Sequence, residues 1–210
     1  KEKECRLNTA LCTWPHDHSH LYYTDGISET CTRTDASILQ ARKDIDHQEK
    51  RNQIHFDEHQ FIYRSSICKL SEQIQNAILV SPVPLPIRGR SGQLATSEIW
   101  RGLFLHDDRI FYTKMEEEQP SFSVDLVLDA SASCMDYQET LAAQSYVIAQ
   151  SLQKCRIPVQ VTSFSSLRSY TVIHRFIRYN ETDKNTNLFR YFAAGWNRDG
   201  LALRAIHQLM

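Results

Sequence analysis

The sequence predicts an α/β fold, with a Rossmann-like unit over residues 121–210 preceded by a mainly helical, partly irregular N-terminal region. Three observations carry this. A short apolar run from Val124 to Leu128 ends in Asp129, and Ser131 and Ser133 follow at alternate positions. Such a run reads as a buried strand that delivers those side chains into the loop at its carboxyl end. Behind an acidic start at Asp136 and Glu139, Leu141, Ile148, Leu152 and Cys155 then recur at helical spacing. Finally, Ile157 to Phe164 reads as a second strand, so strand, loop, helix and strand form a βαβ unit.

The elements before that unit are less regular. Residues 1–36 are polar, and within them Leu21-Tyr22-Tyr23-Thr24-Asp25-Gly26 reads as a short strand closing in an Asp-Gly turn. Cys5, Cys12, His16, His18, His20 and Cys31 raise the question of a structural zinc. Their spacing is not that of a paired Cys-x-x-Cys site, and such a zinc needs four ligands in a tetrahedron. Exposed histidines and buried free thiols are the preferred reading. From Ser37 to about Leu79 the pattern turns helical, with Ile67, Leu70, Ile74, Ala77 and Ile78 on one face. The stretch from Ile38 to Phe61 is more charged, and reads either as a second packed helix or as a solvated arm.

Alternating prolines from Ser81 to Pro86 end the helical part in a connector. Arg88 to Gly92 reads as a mobile, solvated basic loop, because it lacks the strand, lysine and helix of a phosphate-binding loop. Trp100-Arg101 suggests a short helix or turn, Arg109 to Lys114 a strand, and Glu116 to Pro120 an acidic hinge. The composition therefore divides the chain into 1–86, a connector at 87–120, and 121–210.

Beyond Phe164, too few residues separate the second strand from Tyr170–Arg178 for a crossover helix. The third strand should return antiparallel, and its mixed polar character suits an edge. His174 on it is a candidate ligand, although a lone histidine on a half-exposed strand is more often tolerated there. Asn180 to Asn187 is a polar loop, and Leu188 to Phe192 a short helix. The second motif, Gly195 to Arg204, sets Asn197 and Asp199 between two glycines, with a helix from Leu201 to Met210 behind them. Their oxygens can reach a metal at the top of the sheet. They also make good helix caps.

The chemistry at Asp129 follows from residue type. One carboxylate and two hydroxyls are hard oxygen donors suited to Mg²⁺ with water in the remaining positions, while the plainer reading is a serine-rich turn. With 24 basic and 25 acidic residues, nothing in the charge argues for nucleic acid as the main partner. The 41% hydrophobic content is that of a soluble globular protein, no apolar run reaches membrane-spanning length, and no signal peptide is visible in a sequence that opens at Lys1. The six scattered cysteines are most simply read as reduced thiols in a cytoplasm, with the even count leaving disulfides open.

The strand with Asp129-Ala130-Ser131-Ala132-Ser133 resembles a von Willebrand factor type A domain, whose metal-ion-dependent adhesion site begins Asp-x-Ser-x-Ser. Together with Trp196-Asn197-Arg198-Asp199-Gly200-Leu201-Ala202-Leu203-Arg204, and with the lead-in around Trp100 and Arg109, it looks like the subgroup of nitric oxide reductase activation proteins. The metal-binding accessory subunit of cobaltochelatase is a more distant relative. The resemblance covers roughly Arg88 to Met210. It implies Mg²⁺ held by Asp129, Ser131, Ser133, Asn197 and Asp199, with an open position for a partner's Asp or Glu carboxylate. It further implies an accessory protein working with a MoxR-type AAA+ ATPase, and no turnover of its own. Many von Willebrand A domains use a threonine in the second loop, where this sequence offers Asn197 and Asp199. The family's later Thr-Asp-Gly turn lies past Met210, so the reading expects a truncated domain that binds Mg²⁺ weakly or not at all. Two other classes stay open: a Mg²⁺-dependent phosphotransferase of haloacid dehalogenase type, which would want an aspartate where Ser131 stands, and an interaction domain that has lost its metal.

Overall fold

The computed structural model describes residues 2–14, 16–25, 35–79, 87–113, 122–179, 181 and 183–208. It is mixed α/β and falls into two compact units. One joins Lys1–Ile74 to Ser123–Met210, and the other is Gln75–Phe122. The N-terminal segment thus folds with the α/β part, and the boundaries at 86 and 120 suggested by composition are drawn differently by contacts. The proline connector at 81–86 and the acidic hinge at 116–120 lie outside the described residues, as does the Gly26 turn.

The larger unit holds a four-stranded mixed sheet built from β1 (His20–Thr24), β5 (Val124–Asp129), β6 (Val159–Leu167) and β7 (Tyr170–Ile177), in the order β1-β7-β6-β5. Strands β5 and β6 are parallel, joined through α5 (Gln138–Lys154), and β7 returns antiparallel on β6 as the short connection requires. The expected edge strand β7 is internal, however, because β1 pairs parallel on its far side. Among the described residues β5 forms the other edge and is half-buried along its length, whereas the apolar run had suggested a buried strand. One polar side chain interrupts its apolar sequence and is fully used: Asp125 accepts hydrogen bonds from Gln160 Nε2 (3.0 Å) and the Tyr179 hydroxyl (2.5 Å). Burial and that carboxylate push the Tyr179 phenol up to about 12.

One face of the sheet carries α1 (Glu2–Leu11) and α6 (Asp199–His207). Leu7, Leu11, Leu201, Ala202, Ala205 and Ile206 close over Leu21, Phe164 and Ile173. Asn8 stands in for one more strand residue, since its amide accepts from Leu21 N (2.6 Å) and donates to Leu21 O (3.1 Å). A helix therefore covers the outer edge of β1, a standard way to blunt an open edge. The polar, irregular character expected of residues 1–36 missed α1, which places few apolar residues inward, while the short strand expected from Leu21 is β1. At the end of β1, Asp25 ties to Arg175 and Arg178 (2.6 Å each). Burial raises its carboxyl, but the two guanidinium groups outweigh that and bring it below the ordinary value.

On the other face lie α5 and α2 (Ala36–Glu58), which runs on into α3 (Gln60–Leu79). Ala142, Ala143 and Ala149 are fully buried, so α5 sits close to its neighbours. The charged helix α2 is packed as well, and what holds it is mostly polar. Asn52, with no exposed surface, donates to the carbonyls of Phe189 (2.7 Å) and Tyr191 (2.9 Å) and accepts from Gln48 (2.9 Å). Arg51 pairs with Glu139 (2.6 Å), and Glu49 with Arg190 (3.1 Å). Phe56 supplies the aromatic anchor against Tyr63, Tyr146 and Phe189. Residues Asn185–Arg190 form a 3-10 helix in place of the short helix expected at 188–192.

The smaller unit contains β2 (Ile87–Gly89), β3 (Gln93–Leu94), α4 (Ile99–Phe104) and β4 (Phe111–Thr113), with the three strands antiparallel in the order β2-β4-β3. The stretch read as a loose basic loop is thus a strand followed by a turn at Gly92, whose φ of 126° only glycine adopts readily.

The Asn52 contacts generate a stability prediction. Replacing Asn52 with Ala leaves two buried carbonyls without donors and should cost about 2–3 kcal/mol. Ile54→Ala on the exposed side of the same helix should cost well under about 1 kcal/mol. Urea denaturation of both variants checks this, and equal losses would contradict it.

Candidate functional site

The site is built where β5 stops. Alternate residues of a parallel strand address the same neighbour, and the amides of Val124 and Ala130 donate to Pro158 and Phe164 beside β6. The carbonyl of Asp129 therefore faces the open side of the strand, where the hydroxyl of fully buried Tyr191 donates to it. Burial, with Cys134 and Asp129 nearby, holds that phenol far above its ordinary value, so it stays a donor at any physiological pH.

Beyond Asp129 the chain bends through Ser131 into a 3-10 helix at Ala132–Tyr137. The Asp129 carboxylate directs the bend, because Oδ1 accepts from the amide of Ser131 (2.9 Å). Ser131 is almost fully buried, Ser133 is exposed, and their hydroxyls share a hydrogen bond of 2.9 Å. The three residues predicted from the first motif therefore do converge.

The second loop is fastened to the first by main chain. Ala194 N donates to Ala130 O (2.8 Å), and Ala132 N to Gly195 O (2.9 Å). Trp196 exchanges two backbone bonds with Ser166 at the end of β6 (2.6 and 2.9 Å). Buried Gln138 spans both loops, accepting from Ala193 N (2.7 Å) and donating to Met135 O (3.1 Å). Gly195 is required at the crossing. Its φ is +80°, and a Cβ there would overlap the carbonyl of Ser166.

This fastening brings Asn197 to Asp129, with Nδ2 donating to Oδ2 at 3.2 Å, while Asn197 Oδ1 accepts from Asp199 N (2.9 Å). Asn197 thus both caps the start of α6 and reaches the first loop. Asp199 is exposed and turns its carboxylate onto the next amide, Gly200 N (2.8 Å), which is a capping role. The arrangement converges Asp129, Ser131, Ser133 and Asn197, and leaves Asp199 at the rim. One carboxylate, two hydroxyls and an amide that would present its oxygen on turning make a donor set suited to a small hard cation. Among the described residues no group of three or more His, Cys, Asp or Glu side chains is placed to hold a metal. Cys12 instead packs beside Asn8, its thiol pushed up by burial, and Cys31 lies outside the described residues.

Sequence reading missed Tyr191 and Gln138, whose roles arise from tertiary contacts that no local spacing signals. Gly195 was legible as a tight-loop residue, although the overlap it avoids was not. Gly195→Ala should destabilise the chain by about 2–4 kcal/mol through left-handed strain and the clash with Ser166. It should also speed amide exchange at Ala132 and Ala194 ahead of the sheet core. Unchanged exchange at those two amides would show that the loops are held some other way.

A scan against protein-family models matches none of them to this chain, and a search of curated proteins finds no match.

Proposed function

We propose that this chain is a protein-recognition module of the von Willebrand A type, without turnover of its own. The observation that carries the reading is the convergence of Asp129, Ser131, Ser133 and Asn197 at the carboxyl end of β5, where open α/β sheets bind ligands. Asp129, the two serines and Asn197, its amide turned to present oxygen, would hold Mg²⁺, and Asp199 could contribute through water. Such an ion supplies a positive charge with an open coordination position that a partner's Asp or Glu carboxylate fits. Large apolar side chains stand on the same two loops, with Met135 50%, Tyr137 64% and Trp196 76% exposed. A rim of that kind favours a protein partner over a small polar substrate. By the resemblance, the partner set includes a MoxR-type AAA+ ATPase, the compartment is the cytoplasm, and the role is that of an accessory or activation protein. Among the described residues no helix is long and apolar enough to cross a membrane.

The phosphotransferase reading loses support at Ser131, whose hydroxyl lies buried on Ser133 where an acid/base carboxylate would be needed. The reading as an interaction domain without metal keeps one observation in its favour. Asn197 Nδ2 occupies the Asp129 oxygen that a cation would take.

Calorimetric titration with Mg²⁺ separates these. Asp129 is the one carboxylate in the converged set, and Mg²⁺ sheds water reluctantly, so the dissociation constant should be on the order of millimolar. Asp129→Ala should abolish binding and Asp199→Asn should weaken it only a few-fold. Absence of binding at tens of millimolar Mg²⁺ favours the metal-free domain, and micromolar binding that survives Asp129→Ala removes this site from the account.

A further inference from the structure

A cleft lies on the α2 face of the sheet. Register sets Thr24 of β1 beside His174 of β7, and His174 beside Ser163 of β6, in one row across three strands. Ser165 is the next residue of β6 on that face, opposite Val172. A sheet face covered by helices is ordinarily apolar, so a polar row there is the informative exception. These four side chains line a cleft of about 130 Å³. A single water needs only about 15 Å³, so the space accommodates something larger. Ser163 is only 5% exposed. Among the described residues neither Ser163 nor Ser165 makes a side-chain hydrogen bond. The Ser163 hydroxyl is not one of the buried side-chain atoms left without a partner, so it opens onto the cleft and is free to bond a group that enters it.

The remaining lining defines that group. Arg190 brings a guanidinium to the cleft, with its Nε committed to Glu49 (3.1 Å) and its outer nitrogens not used in that bond. Ile45, Phe176 and Phe192 supply an apolar wall. Hydroxyl donors and a cation facing a short hydrocarbon surface match a small acid with a brief alkyl chain. We propose that this cleft binds a short-chain monocarboxylate, its carboxylate on Ser163, Ser165 and Arg190 and its alkyl end against Ile45, Phe176 and Phe192. Ala130 also lines the cleft and directly follows Asp129, so occupancy would abut the first loop of the recognition site. The assignment is independent of metal binding there.

His174 is a built-in reporter. Burial holds its imidazole below the ordinary value, Arg190 acts in the same direction, and Asp25 opposes them. A carboxylate arriving beside it stabilises the imidazolium and must raise its titration point. The experiment follows the His174 imidazole signals of the full chain by NMR, assigned with His174→Gln. Sodium acetate, propionate and butyrate are titrated at constant ionic strength, with inorganic phosphate as a separate arm. A saturable shift with the monocarboxylates and an upward move of the His174 titration point are expected. Ser163→Ala should weaken binding about tenfold or more, the worth of one hydrogen bond to a charged group. It should leave the ligand-free melting temperature unchanged or higher, because that hydroxyl has no protein partner to lose. No saturable shift, an equal response in Ser163→Ala, a response to phosphate alone, or a ligand-free Ser163→Ala protein that melts lower would each overturn the assignment.

Discussion

The structure depends on the carbonyl of Asp129, a backbone acceptor facing the open side of an edge strand, and on the buried Tyr191 hydroxyl that satisfies it. A strand end left unpaired there would be free to fray or to pair elsewhere. Tyr191 can serve only because its own carbonyl is held by Asn52, which Gln48 orients from one turn earlier on α2. Helix α2, the 185–191 segment and the end of β5 thus form one connected set of hydrogen bonds. Every member is buried or half-buried, so each bond is harder to exchange for water than a surface bond would be.

That constraint explains how the two loops come to share a site. With Asp129 fixed, Ala130 and Ala132 offer a short main-chain ladder to Ala194 and Gly195, and Trp196 continues it onto β6. Asn197 then emerges beside the Asp129 carboxylate. The loops are positioned by backbone, so the reordering a cation asks of them is confined to the Asn197 side-chain amide.

How much of this was legible in the sequence follows the range of the interactions. The β5–α5–β6–β7 order was readable, because apolar runs, helical periodicity and a short hairpin gap are local signals. Asp129, Ser131 and Ser133 were readable for the same reason, and Asn197 through the glycines around it. The place of β1 was not, since a parallel pairing between residues 20–24 and 170–174 leaves no mark on either segment. The packing of α2 was one of two readings left open, because apart from Phe56 its anchors are Gln48, Asn52 and Arg51, residue types that pattern reading assigns to solvent. The mixed polar character of Tyr170–Arg178 made β7 resemble an edge strand, when Thr171 is bonded to Ser166, Arg175 is paired with Asp25 and His174 lines a cleft inside the fold. Asp199 had two readings, and its bond to Gly200 favours the cap.

The two loops fastened by main chain meet at Asp129, where the proposed cation would sit. Anomalous diffraction from crystals equilibrated with Mn²⁺ as a stand-in for Mg²⁺ tests that placement most directly. The account predicts a single strong peak about 2.0–2.4 Å from Asp129 Oδ2, with the Ser131 and Ser133 hydroxyls and the Asn197 amide oxygen turned toward it. A saturated crystal with no peak there, and Asn197 Nδ2 still donating to Asp129, would contradict it.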